Sequence, residues 1–509
     1  MFNFSLLSRI LGTYQKRIRC LILAAMLLSG CVTGKNGPSD ETEKNANVAV
    51  TQGSEAEAET ETTVAMTVTG MYGTYDYGGY EYRVLSPGPG EHFYYQIRSD
   101  LNEVYAEEMT GELMNDAIYQ RNTMAEELLS IKIKPIWSTG DTGGITKTLK
   151  AGTAAGSDEY DAVINRMDFL GASMQNGDLR NLRAIDTLDV THKWWDKNIV
   201  DDFTLFGDRL YWIAGDINFV DDYAVEAVFF SRSLCDDHGL TYPYGLVKEG
   251  RWTIDRMLEM AAAVKTDVNG DGKYTVADDI VGHLEQNDHV KHWIYAMGEK
   301  SVDIAEDGSL RLRILDERQI GAIDKLYSAM VENELTYTGT AADFAAGHAL
   351  FYGDMLAFVN QLREMTSDFG IIPMPKYDEA QERYGEYISN GWTTAYAVPM
   401  TNGETSRTGV ILEVLCGYST DTVRQALYEV ALSAKLVRDT DSVEMLDIIF
   451  GSKSYDWAVD FSWGSGFANL YNGIYTTKKN NYVSTAEKKA QSLEKALVKL
   501  METVRSLEY

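Results

Sequence analysis

The chain has 509 residues, 45% of them hydrophobic, and its 76 acidic against 46 basic residues give a formal charge of −30. A body so acidic repels nucleic acid and anionic membrane surfaces, which removes both from the expected partners. The 31 tyrosines and 9 tryptophans supply flat amphipathic rings, suited to stacking on sugars and equally to filling ordinary cores.

Arg9, Lys16, Arg17 and Arg19 precede an apolar run from Cys20 to Leu28, and no acidic residue comes before Cys31. That run is about half the ~20 residues needed to span a bilayer, so residues 1–30 read as a signal peptide. Leu28-Ser29-Gly30-Cys31 resembles the lipobox of bacterial lipoproteins. The resemblance implies a diacylglyceryl thioether on Cys31 and an extracytoplasmic body held to the cell membrane by lipid alone. Of the four cysteines, Cys20 leaves with the leader and Cys31 takes lipid; Cys235 and Cys416 could pair or stay free.

From Val32 to Gly70 there is no aromatic residue, and Glu, Thr, Ala and Gly dominate. Such a segment buries too little apolar surface to order itself, so 31–77 is expected to be a flexible acidic spacer. The roughly 430 residues beyond it exceed what one core serves, and two or three lobes are expected.

Tyr80–Ser86 alternates as a first strand, and Pro87-Gly88-Pro89-Gly90 closes it. Met114, Ile118, Ala125, Leu128 and Leu129 share one helical face. Ile131–Trp137 is a second strand, 143–155 a helix, and Tyr160–Ile164 a third strand, an alternation that predicts a parallel sheet. Leu210–Ala214 and Ala224–Ser231 are further strands. Helices are expected from Trp252 to about Val264, through Ile320–Val331 and through Val423–Val437. A last helix opens on a capping box from Ser484 to Glu487.

The order of these pieces resembles the family 1 extracellular solute-binding proteins of bacterial ABC importers. Leu210–Ile213, Ala224–Phe230, Trp252–Asp255, Phe344–Phe351, Phe369–Lys376 and Thr394–Pro399 carry the likeness, which covers about 78–509. Phe230-Ser231-Arg232 departs from the Tyr-Asn-Lys usual in that family. The resemblance implies an α/β, two-lobed periplasmic-binding-protein-like fold of type II, with a solute cleft that closes about a hinge. It divides the chain into lobe 1 at 78–220, lobe 2 at 221–368, a return to lobe 1 at 369–440, and C-terminal helices at 441–509, mainly in lobe 2. The first crossover falls near Asp221–Tyr223 and the return near Phe369–Pro375.

Within lobe 2, residues 267–278 follow the calcium-loop pattern. Asp267, Asn269, Asp271, the Lys273 carbonyl, Thr275 and Asp278 stand at the ligating positions, with Gly272 at the sharp turn. One loop without a second repeat points to a structural calcium that braces the lobe. His283, His289 and His292 read as surface residues, because no further ligand converges with them.

Candidate solute-binding residues follow from chemistry and from the resemblance together. Asn165 and Asp168 stand at a strand's C-terminal end, where ligands of open α/β sheets gather. Asp216, Asn218 and Tyr223 flank the expected hinge, and Asp354 follows Phe351-Tyr352-Gly353. Trp392 precedes the returning strand, and Trp463 sits in the glycine-flexed loop Phe461-Ser462-Trp463-Gly464-Ser465-Gly466, where sugar binders of this family often carry a stacking ring. Gly-x-Ser-x-Gly and His-Glu-x-x-His are both absent, and Thr146 spoils the one phosphate-loop pattern. The expectation is a monomeric receptor that hands a small solute, an oligosaccharide above all, to a membrane permease. A lipoprotein enzyme acting on polysaccharide and a calcium-stabilised adhesion module are the alternatives.

Overall fold

The helix Leu113–Leu129 shows how the sequence builds the first lobe. Met114, Ile118, Ala125 and Leu129 recur at helical spacing and are all buried. The Glu112 carboxylate accepts the Asn115 N–H, and Ser130 turns left-handed (φ +52°) to stop the helix. The structure, a computed structural model, describes residues 67–88, 102–138, 142–285, 290–362, 365, 367–388, 393–433, 440–460, 470–471, 474 and 477–507.

In chain order the strands are β1 (Tyr80–Pro87), β2 (Ile131–Ser138), β3 (Ala162–Arg166), β4 (Glu226–Ser231), β5 (Val281–Glu285), β6 (Val302–Ile304), β7 (Leu310–Leu312), β8 (Thr336–Thr338), β9 (Ala349–Met355), β10 (Phe369–Ile372), β11 (Glu386–Tyr387), β12 (Thr394–Ala397) and β13 (Lys453–Ser454). They form two main sheets. The first runs β12-β3-β1-β2, parallel except for β12. The second runs β10-β4-β9-β5-β8, parallel from β9 to β8 and antiparallel across β10, β4 and β9. β11 pairs with β13, and β6 with β7.

Helices Leu113–Leu129, Thr405–Asp421 and Val423–Ser433 pack together on the first lobe, while Ile254–Val264 covers β5 and β9 of the second. No helix among the described residues is long and apolar enough to cross a membrane.

The expected strand, helix, strand, helix, strand order of the first lobe is present as β1 to β3 with their two helices. Four expectations need correction. Leu210–Ala214 is buried but forms no ladder, because its backbone groups are shared among neighbours. The Leu210 carbonyl takes the Leu182 N–H, Ile213 bridges Tyr396, and the Ala214 carbonyl takes the Asp196 N–H. Phe369–Ile372 is not the return to lobe 1. It pairs antiparallel with Val228–Ser231 of β4, and the Phe369 ring meets Phe229 edge-on within the second lobe. The chain regains the first sheet only at β12. The expected spacer also contains a helix, Val68–Tyr72, capped by Thr67 and with Tyr72 buried. Finally, the last helix spans Tyr482–Ser506, two residues ahead of the expected capping box. Tyr482 draws it forward: its ring is buried beside Tyr471, and its hydroxyl donates to the Ile314 carbonyl at 2.8 Å.

Candidate functional site

The two passages between the sheets meet each other. The chain leaves the first sheet through Ile217–Ala224, including the short helix Val220–Tyr223, and enters the second at β4. It comes back past Ile388, which bridges Val225 antiparallel, to reach β12. Asn218 and Tyr223 lie in the outgoing passage. Asp354 sits in β9 opposite Ala227, beside the point of entry to the second sheet. Asn165 is the penultimate residue of β3 and pairs in register with Ala395 of β12. The structure thus brings these four expected residues to the borders of one crossing.

Their side chains do different work. Asn165 is fully buried and its amide oxygen accepts the Arg166 N–H at 2.9 Å. Asp168 takes both ends of the Arg166 guanidinium, at 3.1 and 2.5 Å, while Arg166 lies over the Phe169 ring. Burial pushes the Asp168 carboxyl up, and the Arg166 charge opposes that shift. Asp354 is buried, with the Tyr352 hydroxyl and the Met355 N–H as donors. Asp216, immediately before the outgoing passage, is held by the Thr420 hydroxyl at 2.6 Å and Arg424 at 2.9 Å. Trp392 and Trp463 lie outside the described residues.

Sequence reasoning missed the residue that organises the outgoing passage. Glu103 is buried, and one carboxylate oxygen accepts the Phe219 and Val220 N–H groups at 2.9 and 3.2 Å. Its other oxygen accepts the Thr394 hydroxyl at 2.7 Å, and Thr394 in turn accepts the Asn218 amide. Burial raises the Glu103 carboxyl to about 7 against these bonds. Arg121 supports the arrangement, donating to the Ile217, Glu103 and Val104 carbonyls. No local pattern marks Glu103; only the fold gives it partners 116 and 291 residues away.

A second cluster binds the passage from the other side. Lys453 of β13 lies 2.6 Å from Asp221, 3.0 Å from Asp222 and 3.1 Å from Asp196, the last being the cap of helix Lys197–Phe203. Tyr455 also donates to Asp196 at 2.9 Å. Burial drives Asp221 and Asp222 up, while the three carboxylates hold the ammonium of Lys453 charged. The adjacent acids Asp221-Asp222 at the expected crossover were the available signal.

Two crevices open beside this lysine. One of about 200 Å³ is lined by Asn198, Asp202, Tyr295, Lys300, Arg383 and Lys453. The other, about 250 Å³, has Trp194, Trp195, Asp216, Asp222, Arg424 and Lys453 in its wall. The Trp194 and Trp195 indoles are fixed from behind by Glu413, which accepts both ring N–H groups and the Asp189 N–H, and meets His192 Nδ1 at 2.9 Å. Gly215 is required here, since a Cβ on it would meet the Trp194 carbonyl oxygen at 2.2 Å.

The loop expected to hold calcium is a tight turn. Asp267 accepts the Gly270 and Gly272 N–H groups at 2.7 and 2.8 Å, and both glycines take positive φ, +73° and +76°. Asn269 accepts from Asp271, and Asp271 from Lys273. Asp278 is exposed and receives the Thr275 hydroxyl. The carboxylate buried against the loop is instead Asp279, bonded to the Thr275 and Val268 N–H groups, and the Thr275 bond foremost holds it below the usual carboxylate range. Among the described residues no three His, Cys, Asp or Glu side chains converge as a metal set.

His283 and His292 are corrected from surface to buried. His292 lies 3.1 Å from Glu226 and stacks on Tyr387, and His283 meets Trp293 edge-on; His289 lies outside the described residues. Cys235 and Cys416 are both buried and free.

No sequence-family model and no curated protein sequence matches the chain. Solved structures do match. M. tuberculosis UspC is 12% identical, with a TM-score of 0.54 over 80% of this chain and 98% of that one. A cyclo/maltodextrin-binding protein complexed with maltotetraose is 12% identical, with a TM-score of 0.51 over 84% and 98%. A family 1 extracellular solute-binding protein from Bifidobacterium longum subsp. infantis is 13% identical, with a TM-score of 0.50 over 84% and 100%. The chain therefore shares the two-lobed, periplasmic-binding-protein-like α/β fold of these proteins.

Proposed function

We propose that this chain is a family 1 solute-binding receptor of a bacterial ABC importer, which captures an extracellular oligosaccharide and delivers it unchanged to a membrane permease. The observation that carries the reading is the paired crossing, Val225 against Ile388, between two sheets that otherwise belong to separate lobes. A double crossing lets two rigid lobes turn about one line, which is what enclosing a solute needs. The likeness in fold to a maltodextrin-binding protein supports the sugar class. Asn165, Asp168, Asn218, Tyr223 and Asp354 are assigned to the solute's hydroxyls, and Trp392 and Trp463 to stacking on its C–H faces. Asp216, committed to Arg424, is assigned a supporting role. Lipid on Cys31 anchors the body, 32–66 is its tether, and one calcium ion at 267–278 braces lobe 2.

Thermal unfolding of the chain lacking residues 1–31, against a panel of oligosaccharides, amino acids and peptides, tests the reading. A ligand at about a hundred times its dissociation constant adds roughly 2.7 kcal/mol. A raised midpoint with one sugar class, and the sugar recovered intact, is expected. Shortened products would instead make the protein an enzyme on polysaccharide.

A further inference from the structure

The Lys453 cluster is not a simple ion pair. Three carboxylates share one ammonium with little exposure to water: side chains of Lys453, Asp196, Asp221 and Asp222 are 7%, 6%, 0% and 14% exposed. Asp221 uses one oxygen on Lys453, and its Oδ1 has no hydrogen-bond partner among the described residues. Burial without a donor disfavours the ionised form of such an oxygen, and protonation converts it to a neutral acid. The members also come from different parts of the fold. Asp196 caps helix Lys197–Phe203, Asp221 and Asp222 lie in the passage between sheets, and Lys453 is on β13, which pairs with β11 on the returning side.

We propose that Lys453 is the positioning residue of the interlobe crossing, and that a proton held by Asp221 and Asp222 beside it keeps the crossing in the arrangement described here. This deepens the solute-receptor reading by giving that receptor a proton-linked hinge. The crevice of about 250 Å³ that reaches Asp196, Asp222 and Lys453 gives water and protons a way in. The charged and titratable groups facing the cluster are the Tyr455 hydroxyl on Asp196, Arg424 with its partner Asp216, Arg383 in the crevice wall, Asp202 with Lys300, and Glu103 across the short helix.

The sign follows from linkage. Asp221 and Asp222 carry folded-state values above the ordinary 3.8, so the buried cluster binds a proton more tightly than the same acids do in water. Falling pH therefore favours the buried cluster. Rising pH favours any arrangement in which water reaches the carboxylates, and the crossing loosens.

The test is hydrogen exchange of the full-length protein without solute, between about pH 5 and pH 8, corrected for the intrinsic pH dependence of exchange. In the wild type, protection of amides in 219–224 should fall about tenfold or more across that range, the effect of about one unit of linked shift. In Asp221→Asn the same amides should show flat protection. Lys453→Met should steepen the fall; if it does not fold, Asp222→Asn replaces it and should flatten the curve. Equal protection at all pH values in the wild type, or a fall that persists unchanged in Asp221→Asn, overturns the proposal. Because no solute is present, the result stands apart from the receptor reading, which fails separately if no solute binds at any pH.

Discussion

Val225 and Ile388, 163 positions apart in the chain, are bridged antiparallel where the outgoing and returning passages run side by side. Glu103 and Thr394 reinforce that junction from the first lobe, and Lys453 from the β11–β13 side. A joint made of two adjacent passages constrains the lobes to turn about a line, and a single tether would not.

Thr394→Val removes the hydroxyl that donates to Glu103 and accepts from Asn218. The change leaves a buried carboxylate short of a donor and should cost about 1–3 kcal/mol in chemical denaturation at pH 8. No loss at that pH would mean that Glu103 is solvated in solution.

Glu103→Gln probes the same bond through pH. The folded carboxyl is raised from 4.5 to about 7, so the fold binds its proton better than the unfolded chain. This group's contribution to stability rises as pH falls from about 7 to about 4.5 and is lost as pH climbs back. Denaturation midpoints should be flatter over that window in the variant than in the wild type; identical profiles would remove Glu103 from the titration.

Glu413→Ala strands the Trp194 and Trp195 ring N–H groups and the Asp189 N–H, each worth about 1–3 kcal/mol when buried and unpaired. A loss of several kcal/mol is expected, with Glu413→Gln recovering part of it. A loss confined to a few tenths would show that water replaces the carboxylate.

Much of the fold was legible in the sequence, and the reason is local. Met114, Ile118, Ala125 and Leu129 announce their helix by spacing, and β1, β2 and β3 by alternation and apolar runs. Leu210–Ala214 misled because a fully buried apolar segment carries no sign of whether its backbone joins one ladder or several neighbours. Phe369–Ile372 misled for a related cause: strand character was evident, but its partner was not. The candidate site was legible only in part. Asn165, Asn218, Tyr223 and Asp354 reach the crossing's borders because strand ends and hinges are where polar residues accumulate. Glu103 and Lys453 were invisible, since each acquires meaning from partners more than a hundred residues away.

Asp271→Ala tests the calcium brace. It should lower the unfolding midpoint in calcium and leave it unchanged in chelator, because among the described residues the Asp271 carboxylate otherwise holds only the Lys273 N–H in an exposed loop. Equal loss in both conditions would assign the loop to turn structure alone.

Trp463→Ala tests the stacking ring. If that indole is a desolvated anchor for the solute, affinity should fall by on the order of 1–3 kcal/mol with the unfolding midpoint of the free protein unchanged. Unchanged affinity with reduced stability would return Trp463 to the core.

The most direct measurement pairs calorimetric titration with X-ray scattering, using the oligosaccharide that most raises the unfolding midpoint. One-to-one binding, a smaller radius of gyration in the complex and the sugar recovered at its original length are expected of a closing receptor. A sugar that comes back shortened, or a complex no more compact than the free protein, would contradict it.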